Sequence, residues 1–215
     1  MFQSVSGEAF KDALARASRT PLFDHALELS ISLDDLIDED SVIHEGDLKI
    51  AGSLVAPALC ALIIGDLEVS DFVDLRHDGE RGLFIVLGSV RCRHFVSDHG
   101  CCSIIDGDLV AEQSVVNGFS FSCLTVTGVL RTRLFLGAEA LTEVGAGADM
   151  EYGVGYCLPM DYCDASKEAI RPRHGEDETV RAVVAAPGAN NKPLGAETVA
   201  GLIRAGEPLF RLMPI

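Results

Sequence analysis

The sequence predicts a mainly β protein, a parallel β-helix of about five short coils, and three observations support this. A phrase that begins with glycine occurs five times, led by Gly46, Gly65, Gly88, Gly107 and Gly128. The intervals of 19, 23, 19 and 21 residues are typical of a solenoid, whose repeats must stack to bury their apolar faces. An apolar strand precedes each glycine. Left-handed β-helices keep a strict hexapeptide register. The interval varies here, and we therefore predict a right-handed helix.

Two columns of apolar or small residues follow these glycines. Positions two and four after each glycine share one side of a strand, because side chains alternate between the two faces. We therefore predict that these columns fill the interior: Leu48, Leu67, Val90, Leu109, Leu130, Ile50, Val69, Cys92, Ala111 and Thr132. The positions between them carry most of the charges and predict an exposed ladder of ion pairs: Lys49, Glu68, Arg91, Arg93, Glu112, Arg131 and Arg133.

Helical patterns flank the repeat region and divide the chain into three segments. We predict an N-terminal helix and capping segment (1–41), the β-helix (42–166) and a C-terminal helical segment docked on it (167–215). Within these lie a helix at 6–18 that covers the first coil, an alternating strand at 27–33, helices at 177–186 and 197–205, a C-cap at Gly206, and a docked tail at 208–212.

The composition excludes several classes of function. There are 17 basic and 33 acidic residues, so the net charge of −16 disfavours nucleic acids and anionic membranes as partners. No apolar run reaches the roughly 20 residues of a membrane span, and the N-terminus lacks the features of a signal peptide. The odd number of cysteines, seven, suits a reducing compartment. We expect a cytoplasmic protein with a basic partner, although solubility alone also explains the charge.

The segment 134–166 contains no Lys or Arg, and all three tyrosines of the protein lie within it. Tyrosine is enriched in interface cores, and carboxylates complement a basic surface. The predicted partner-binding residues are Asp149, Glu151, Tyr152, Tyr156, Asp161, Tyr162 and Asp164. The alternative is a last, irregular coil whose tyrosines pack internally. A second acidic run, 34–47, is interpreted as a solvated loop.

No motif predicts catalysis, a cofactor or a metal. His94 and His99 lie near three cysteines, but the segment has no C-x-x-C and no second pair at zinc-finger spacing. Asp47, Asp66 and Asp108 occupy one position of three repeats. A turn position explains them better than a catalytic row, because a carboxylate there can accept backbone N–H groups. We therefore expect no enzymatic activity.

The repeated phrases at 65–69 and 107–111, Gly-Asp-Leu-Glu-Val and Gly-Asp-Leu-Val-Ala, resemble those of a known family. They are similar to β-helical immunity proteins encoded beside bacterial polymorphic toxins, whether contact-dependent or type VI secreted. This resemblance implies stoichiometric occlusion of the active site of a cognate toxin in the cytoplasm. The acidic charge suits a nuclease with a basic cleft. The alternatives are a bactofilin-like polymerising scaffold and, less favoured, a β-helix carbohydrate-active enzyme; lateral self-association stays open.

Overall fold

In the computed structural model, stacked parallel strands form a β-solenoid of about six coils, and the described residues include three helices near the chain ends. The structure describes residues 1–17, 20–29, 37, 40–76, 81–97, 100–163, 168–175, 183–184 and 195–211. The helices are α1 (Gly7–Arg16), α2 (Pro21–Leu29) and α3 (Ala196–Arg204). The strands are β1 (Gln3–Val5), β2 (Ser41–Glu45), β3 (Leu48–Ile50), β4 (Leu54–Val55), β5 (Cys60–Ile64), β6 (Leu67–Val69), β7 (Phe72–Leu75), β8 (Gly82–Val86), β9 (Val90–Ser97), β10 (Cys101–Ile105), β11 (Leu109–Asn117), β12 (Cys123–Val126), β13 (Leu130–Gly137), β14 (Leu141–Val144), β15 (Ala148–Val154) and β16 (Met160–Asp161).

The strands form two long sheets, and each coil contributes to both. The first sheet has the order β1-β2-β5-β8-β10-β12-β14-β16, and the second has the order β3-β6-β9-β11-β13-β15, with β4 and β7 joined to it at β9. All pairs are parallel except β1 with β2. The predicted fold class is confirmed, with about one coil more than expected. The additional coil is formed by β14 and β15, and there Ala146 stands in the column that glycine occupies in the earlier coils.

The repeated glycines stack one upon another at the corner between the two sheets. A Cβ added at Gly65, Gly88, Gly107 or Gly128 would lie 2.5–2.7 Å from backbone atoms of the preceding glycine in the column. Real Cβ atoms essentially never approach backbone so closely. Over these four steps of the column, the coils can therefore reach their normal spacing because the side chain is absent.

Substitution of Gly107 by alanine should destabilise the protein. The new Cβ would lie 2.6 Å from the carbonyl oxygen of Gly88, and backbone cannot move aside as a flexible side chain can. We expect a loss near the upper end of the roughly 1–3 kcal/mol that overpacking costs, measured by urea unfolding. Gly201→Ala is the matched control, because its Cβ meets nothing within 4 Å in α3. That exchange should stabilise by up to about 1 kcal/mol; equal effects of the two would contradict the stacked column.

The residue after each of the first four glycines links its coil to the next one. Asp47 accepts a hydrogen bond from the backbone N–H of Asp66 (3.0 Å), and Asp66 accepts one from Ser89 (2.7 Å). The Ser89 hydroxyl accepts from Asp108 N–H (3.2 Å), and Asp108 accepts from Val129 N–H (2.8 Å). These side chains satisfy backbone donors at the turns, in agreement with their interpretation as turn-forming residues.

The two N-terminal helices pack along the outer face of the first sheet. Phe10 and Leu14 of α1, with Phe23 and Ala26 of α2, join a buried cluster with outward residues of that sheet such as Ile85. In the first coil, helix α1 covers the outer face of β2, and strand β1 pairs with the open edge of β2. The edge protection that we expected from a helix therefore comes from a short antiparallel strand.

The prediction of a strand at 27–33 is wrong for 27–29, which belong to α2; residues 30–33 lie outside the described residues. Thr20 and Pro21 start this helix, because the Thr20 hydroxyl accepts the N–H of Phe23 (3.2 Å) and proline suits the first turn. The buried positions Leu22, Phe23 and Ala26 have helical spacing. The apolar and polar residues that alternate from residue 27 onward led to the wrong prediction.

The C-terminal helix packs on the outer face of the second sheet, on the part formed by the ends of β9, β11, β13 and β15. Val199, Leu202 and Ile203 are buried there. The helix ends as predicted: Gly206 has φ +68°, its N–H donates to Ile203, and Glu207 N–H donates to Leu202. Leu209 is buried, so the tail docks as expected. The predicted helix at 177–186 lies outside the described residues except for Val183 and Val184.

Candidate functional site

The predicted acidic residues on β15 are paired within the chain. Asp149 accepts a hydrogen bond from Arg173 at 2.7 Å, and Glu151 accepts one from Arg133 at 3.0 Å. Of the residues in the predicted ladder, Arg133 is thus paired with Glu151, and Lys49 and Glu68 are paired at 2.7 Å at the other end of the second sheet. The carboxylates of Asp149 and Glu151 are half-exposed but already neutralised, so they offer a basic partner less than free acids would.

Tyr152 lies in the interior rather than on the surface. Its side chain is only 7% exposed and belongs to the cluster under α3. Its ring lies 5.4 Å from that of His174 and 6.3 Å from that of Phe210, and the Arg133 guanidinium stacks over Phe210 at 3.9 Å. The neighbouring Glu151 carboxylate raises the pKa of the Tyr152 hydroxyl. The structure thus places Tyr152 where the alternative interpretation did, in internal packing.

Asp161 and Tyr162 lie at the far end of the first sheet. Asp161 accepts the N–H of Cys163 (2.9 Å), and the Tyr162 ring lies 5.2 Å from the ring of His25 on α2. His25 is 4.0 Å from the buried carboxylate of Glu143. Both predicted residues are half-buried. Asp164 lies outside the described residues, and the six predicted residues that the structure describes do not form one patch.

Tyr156 is the predicted residue that stands free in the solvent, with 75% of its surface exposed. It lies in the turn that leads from β15 to the last coil, and this turn stacks on the preceding one through a hydrogen bond from Cys157 N–H to Gly137 O (3.1 Å). The turns at this corner of the solenoid connect the second sheet back to the first. They carry a feature that the sequence analysis missed.

One position of these turns has a left-handed backbone in three successive coils. Gly100, Phe121 and Glu139 have φ values of +68°, +63° and +56°. Each lies two residues before a member of one register column, which contains Cys102, Cys123 and Leu141. This corner therefore requires a left-handed backbone conformation. Two coils place a residue with a side chain at this position, whereas the coil before them has glycine there.

Phe121 is the most unusual of these residues, because its side chain is 86% exposed. The left-handed conformation costs a residue with a Cβ roughly 1–2 kcal/mol. Because the Phe121 side chain is exposed, no free energy of burial offsets this cost. Two more exposed apolar side chains follow on the next coils, namely Leu141 at the start of β14 and Tyr156 in the turn after β15. We call Phe121, Glu139, Leu141 and Tyr156 the turn ridge. Strain at an exposed position is a reason to suspect function.

A buried polar network holds the base of this ridge. The Asn117 side-chain amide donates to the Leu141 carbonyl (2.9 Å) and the Thr142 hydroxyl (2.7 Å), and its oxygen accepts from Ser122 (2.8 Å). The neighbouring turns are joined by a hydrogen bond from the Ser120 hydroxyl to Glu139 (2.6 Å). Because the network is satisfied and buried, Phe121 is presented on a rigid support.

The sequence does contain a signal for Phe121. If the turns are aligned on Cys102 and Cys123, phenylalanine occupies the position that glycine has in the preceding coil. The period is clearest at the repeated glycines, which lie at the other corner of each coil. An alignment on those glycines does not reveal the pattern of these turns. Among the residues that the structure describes, no cluster of three or more His, Cys, Asp or Glu could hold a metal ion.

The fold and the ridge define the chain as a β-solenoid that displays aromatic side chains on one corner. Comparisons with protein-family models, with curated proteins and with solved structures found no match to this chain. Over its described part, no helix is both long and apolar enough to span a membrane.

Proposed function

We propose that this chain is a protein-binding module that inhibits a basic partner, and that the partner is the cognate antibacterial toxin suggested by the resemblance. The observation that carries the binding role is Phe121, held exposed in a strained conformation on a rigid base. Aromatic residues of this kind are typical binding hot spots once a partner covers them. Tyr156 supplies a second anchor in the stacked turns.

The charge of the chain supports a basic partner. The net charge of −16 attracts a positively charged protein over long range and speeds its encounter. The anchors then supply most of the affinity, since charges at an interface rim contribute more to rate and specificity. A nuclease with a nucleic-acid-binding cleft meets this description, and occlusion of its active site would be stoichiometric.

The ends of the solenoid support a discrete binding module over the alternative of an end-to-end scaffold. At one end β1 pairs with β2, and at the other residues 168–175 pair with the last strands through Arg173 and His174. A polymer that continues both sheets would have to displace these segments. Sedimentation should therefore find no filaments at micromolar concentration.

Substitution of Phe121 by glycine should separate binding from stability. Glycine adopts φ +63° without strain, so the free energy of unfolding should stay equal or rise by up to about 1 kcal/mol. Affinity for the partner should fall at least about 30-fold, the factor that corresponds to a hot spot of about 2 kcal/mol. The measurements are urea unfolding and calorimetric titration with the product of the neighbouring gene.

Tyr156→Ala should weaken binding in the same way. Val55→Thr is the control, because Val55 is an exposed apolar residue on β4 in the first coil, away from the ridge. It should leave the affinity unchanged. If the neighbouring product does not bind and its toxicity is unaffected, the inhibitor proposal is wrong. If it binds equally to the wild type, Phe121→Gly and Tyr156→Ala proteins, the ridge is not the interface.

A further inference from the structure

Two cysteines lie side by side on neighbouring coils of the first sheet. Cys102 of β10 and Cys123 of β12 are direct register partners in parallel strands. Such strands lie about 4.8 Å apart, which is within the range of Cα separations that a disulfide bridges, roughly 4.4–6.8 Å. Both residues are partly buried, and the two thiols share a hydrogen bond. The two thiols are therefore already paired, and neither is sealed from the solvent.

The other five cysteines lack this arrangement. Cys60, Cys92 and Cys101 are buried, while Cys157 and Cys163 are accessible but have no cysteine as a strand partner. Cys163 instead donates its thiol hydrogen to the carbonyl of Gly145 at 3.2 Å. Among the paired strands that the structure describes, Cys102 and Cys123 are the one cysteine pair in register.

The two thiols act as a pair. The hydrogen bond with Cys102, followed by burial, raises the pKa of the Cys123 thiol. Whichever of the two sulfurs attacks first as its thiolate, the other lies beside it and can resolve the intermediate.

We propose that Cys102 and Cys123 are a redox-active dithiol, which peroxides or small disulfides convert to a reversible cross-strand disulfide. With hydrogen peroxide, one of the two sulfurs attacks an oxygen as its thiolate and the O–O bond breaks. A sulfenic acid forms, and the other oxygen takes up the thiol proton and leaves as water. The second sulfur then attacks the first, the S–O bond breaks, and a second water leaves. With glutathione disulfide, one sulfur attacks the S–S bond and releases one glutathione, and the second sulfur then displaces the other glutathione. The two sulfurs lose two electrons in total, and the oxidant gains them.

The dithiol lies at the base of the turn ridge. Cys123 follows Phe121 by two residues and is the register partner of Leu141 on the next coil. A bond between the two sulfurs constrains the side chain of Cys123, two residues from the turn position that presents Phe121. Oxidation should therefore lower the affinity of the ridge for its partner; this consequence rests on the proposed function, whereas the dithiol chemistry does not.

The test treats the native protein with hydrogen peroxide, and separately with glutathione disulfide. Intact mass should fall by two hydrogens, and the thiols titrated after denaturation should fall from seven to five. Peptide mapping should join the segments that contain Cys102 and Cys123, and dithiothreitol should restore the original mass. Cys102→Ser and Cys123→Ser should each abolish the cross-link, whereas Cys163→Ser should still form it.

A second probe keeps the result decisive if a serine variant unfolds. Phenylarsine oxide bridges two thiols through one arsenic atom, so native wild-type protein should bind it one to one and then resist the cross-link. Formation of the cross-link by Cys102→Ser, or neither cross-link nor arsenical binding by the wild type, would overturn the dithiol proposal. If the cross-link forms but partner affinity is the same in both redox states, the link to the ridge is wrong while the dithiol stands.

Discussion

Replacement of Arg204 by methionine is expected to lower the free energy of unfolding by about 3–5 kcal/mol. Arg204, the last residue of α3, donates two hydrogen bonds of 2.9 Å to the carboxylate of Asp74 on β7. The Asp74 side chain is 2% exposed. Without the guanidinium, a buried carboxylate would lose its cation, which costs far more than the loss of a surface pair. Urea denaturation followed by circular dichroism measures the change.

Arg16→Met is the matched control, since Arg16 is the last residue of α1 and exposed, with a hydrogen bond to Asp12 O (3.0 Å). It should change stability by less than about 0.5 kcal/mol. The double variant Asp74→Leu with Arg204→Met should recover most of the loss, because an apolar pair leaves no buried charge behind. Equal costs for Arg204→Met and Arg16→Met would show that α3 does not depend on this pair.

Acid should destabilise the protein through His94, and His94→Gln should remove that part of the effect. His94 is buried beside the bulge in β11, and its Nδ1 lies 2.8 Å from the Ser114 hydroxyl. Burial first, and then Arg93, lower the pKa of His94 to about 4, while Asp71 acts in the opposite direction. The unfolded chain takes up a proton near pH 6.5, but the folded protein does not until about pH 4.

The stabilising contribution of neutral His94 is thus complete above pH 6.5 and is lost as the pH falls towards 4. The loss over that window is about 3 kcal/mol, at about 1.4 kcal/mol for each pH unit. Glutamine cannot take up this proton and retains a polar side chain for Ser114. The urea concentration at the midpoint of unfolding, measured at pH 7, 5.5 and 4, should therefore fall more steeply with decreasing pH for the wild type than for His94→Gln. An equal pH dependence of the two proteins would contradict the lowered pKa of His94.

The coils could be predicted because their determinants are local and repeat. The Gly107 corner, the interior position of Leu109 and the turn role of Asp108 follow from alternation and from the size of glycine, with no knowledge of distant contacts. The same holds for α3 and its end at Gly206, which are encoded within a dozen residues. The predicted right hand of the helix stays a prediction, as do the immunity role and the absence of enzymatic activity.

The candidate site could not be predicted in the same way. Tyr152 and Tyr156 are four residues apart in one tyrosine-rich segment, yet one is buried under the C-terminal segment and the other is free. Asp149 and Glu151 looked like free acids because their partners, Arg173 and Arg133, lie about 20 residues away in sequence. The importance of Phe121 depends on its φ angle, which a single turn does not reveal.

The stacked coils follow from the sequence alone, because a periodic pattern of glycine and apolar residues buries its apolar faces and satisfies its backbone by stacking. The choice of the outer faces that the terminal helices cover depends instead on long-range contacts such as that of Arg204 with Asp74, 130 residues apart. Covering those faces also decides what is left exposed. The turn ridge is therefore a product of the tertiary fold, although each of its residues was visible in the sequence.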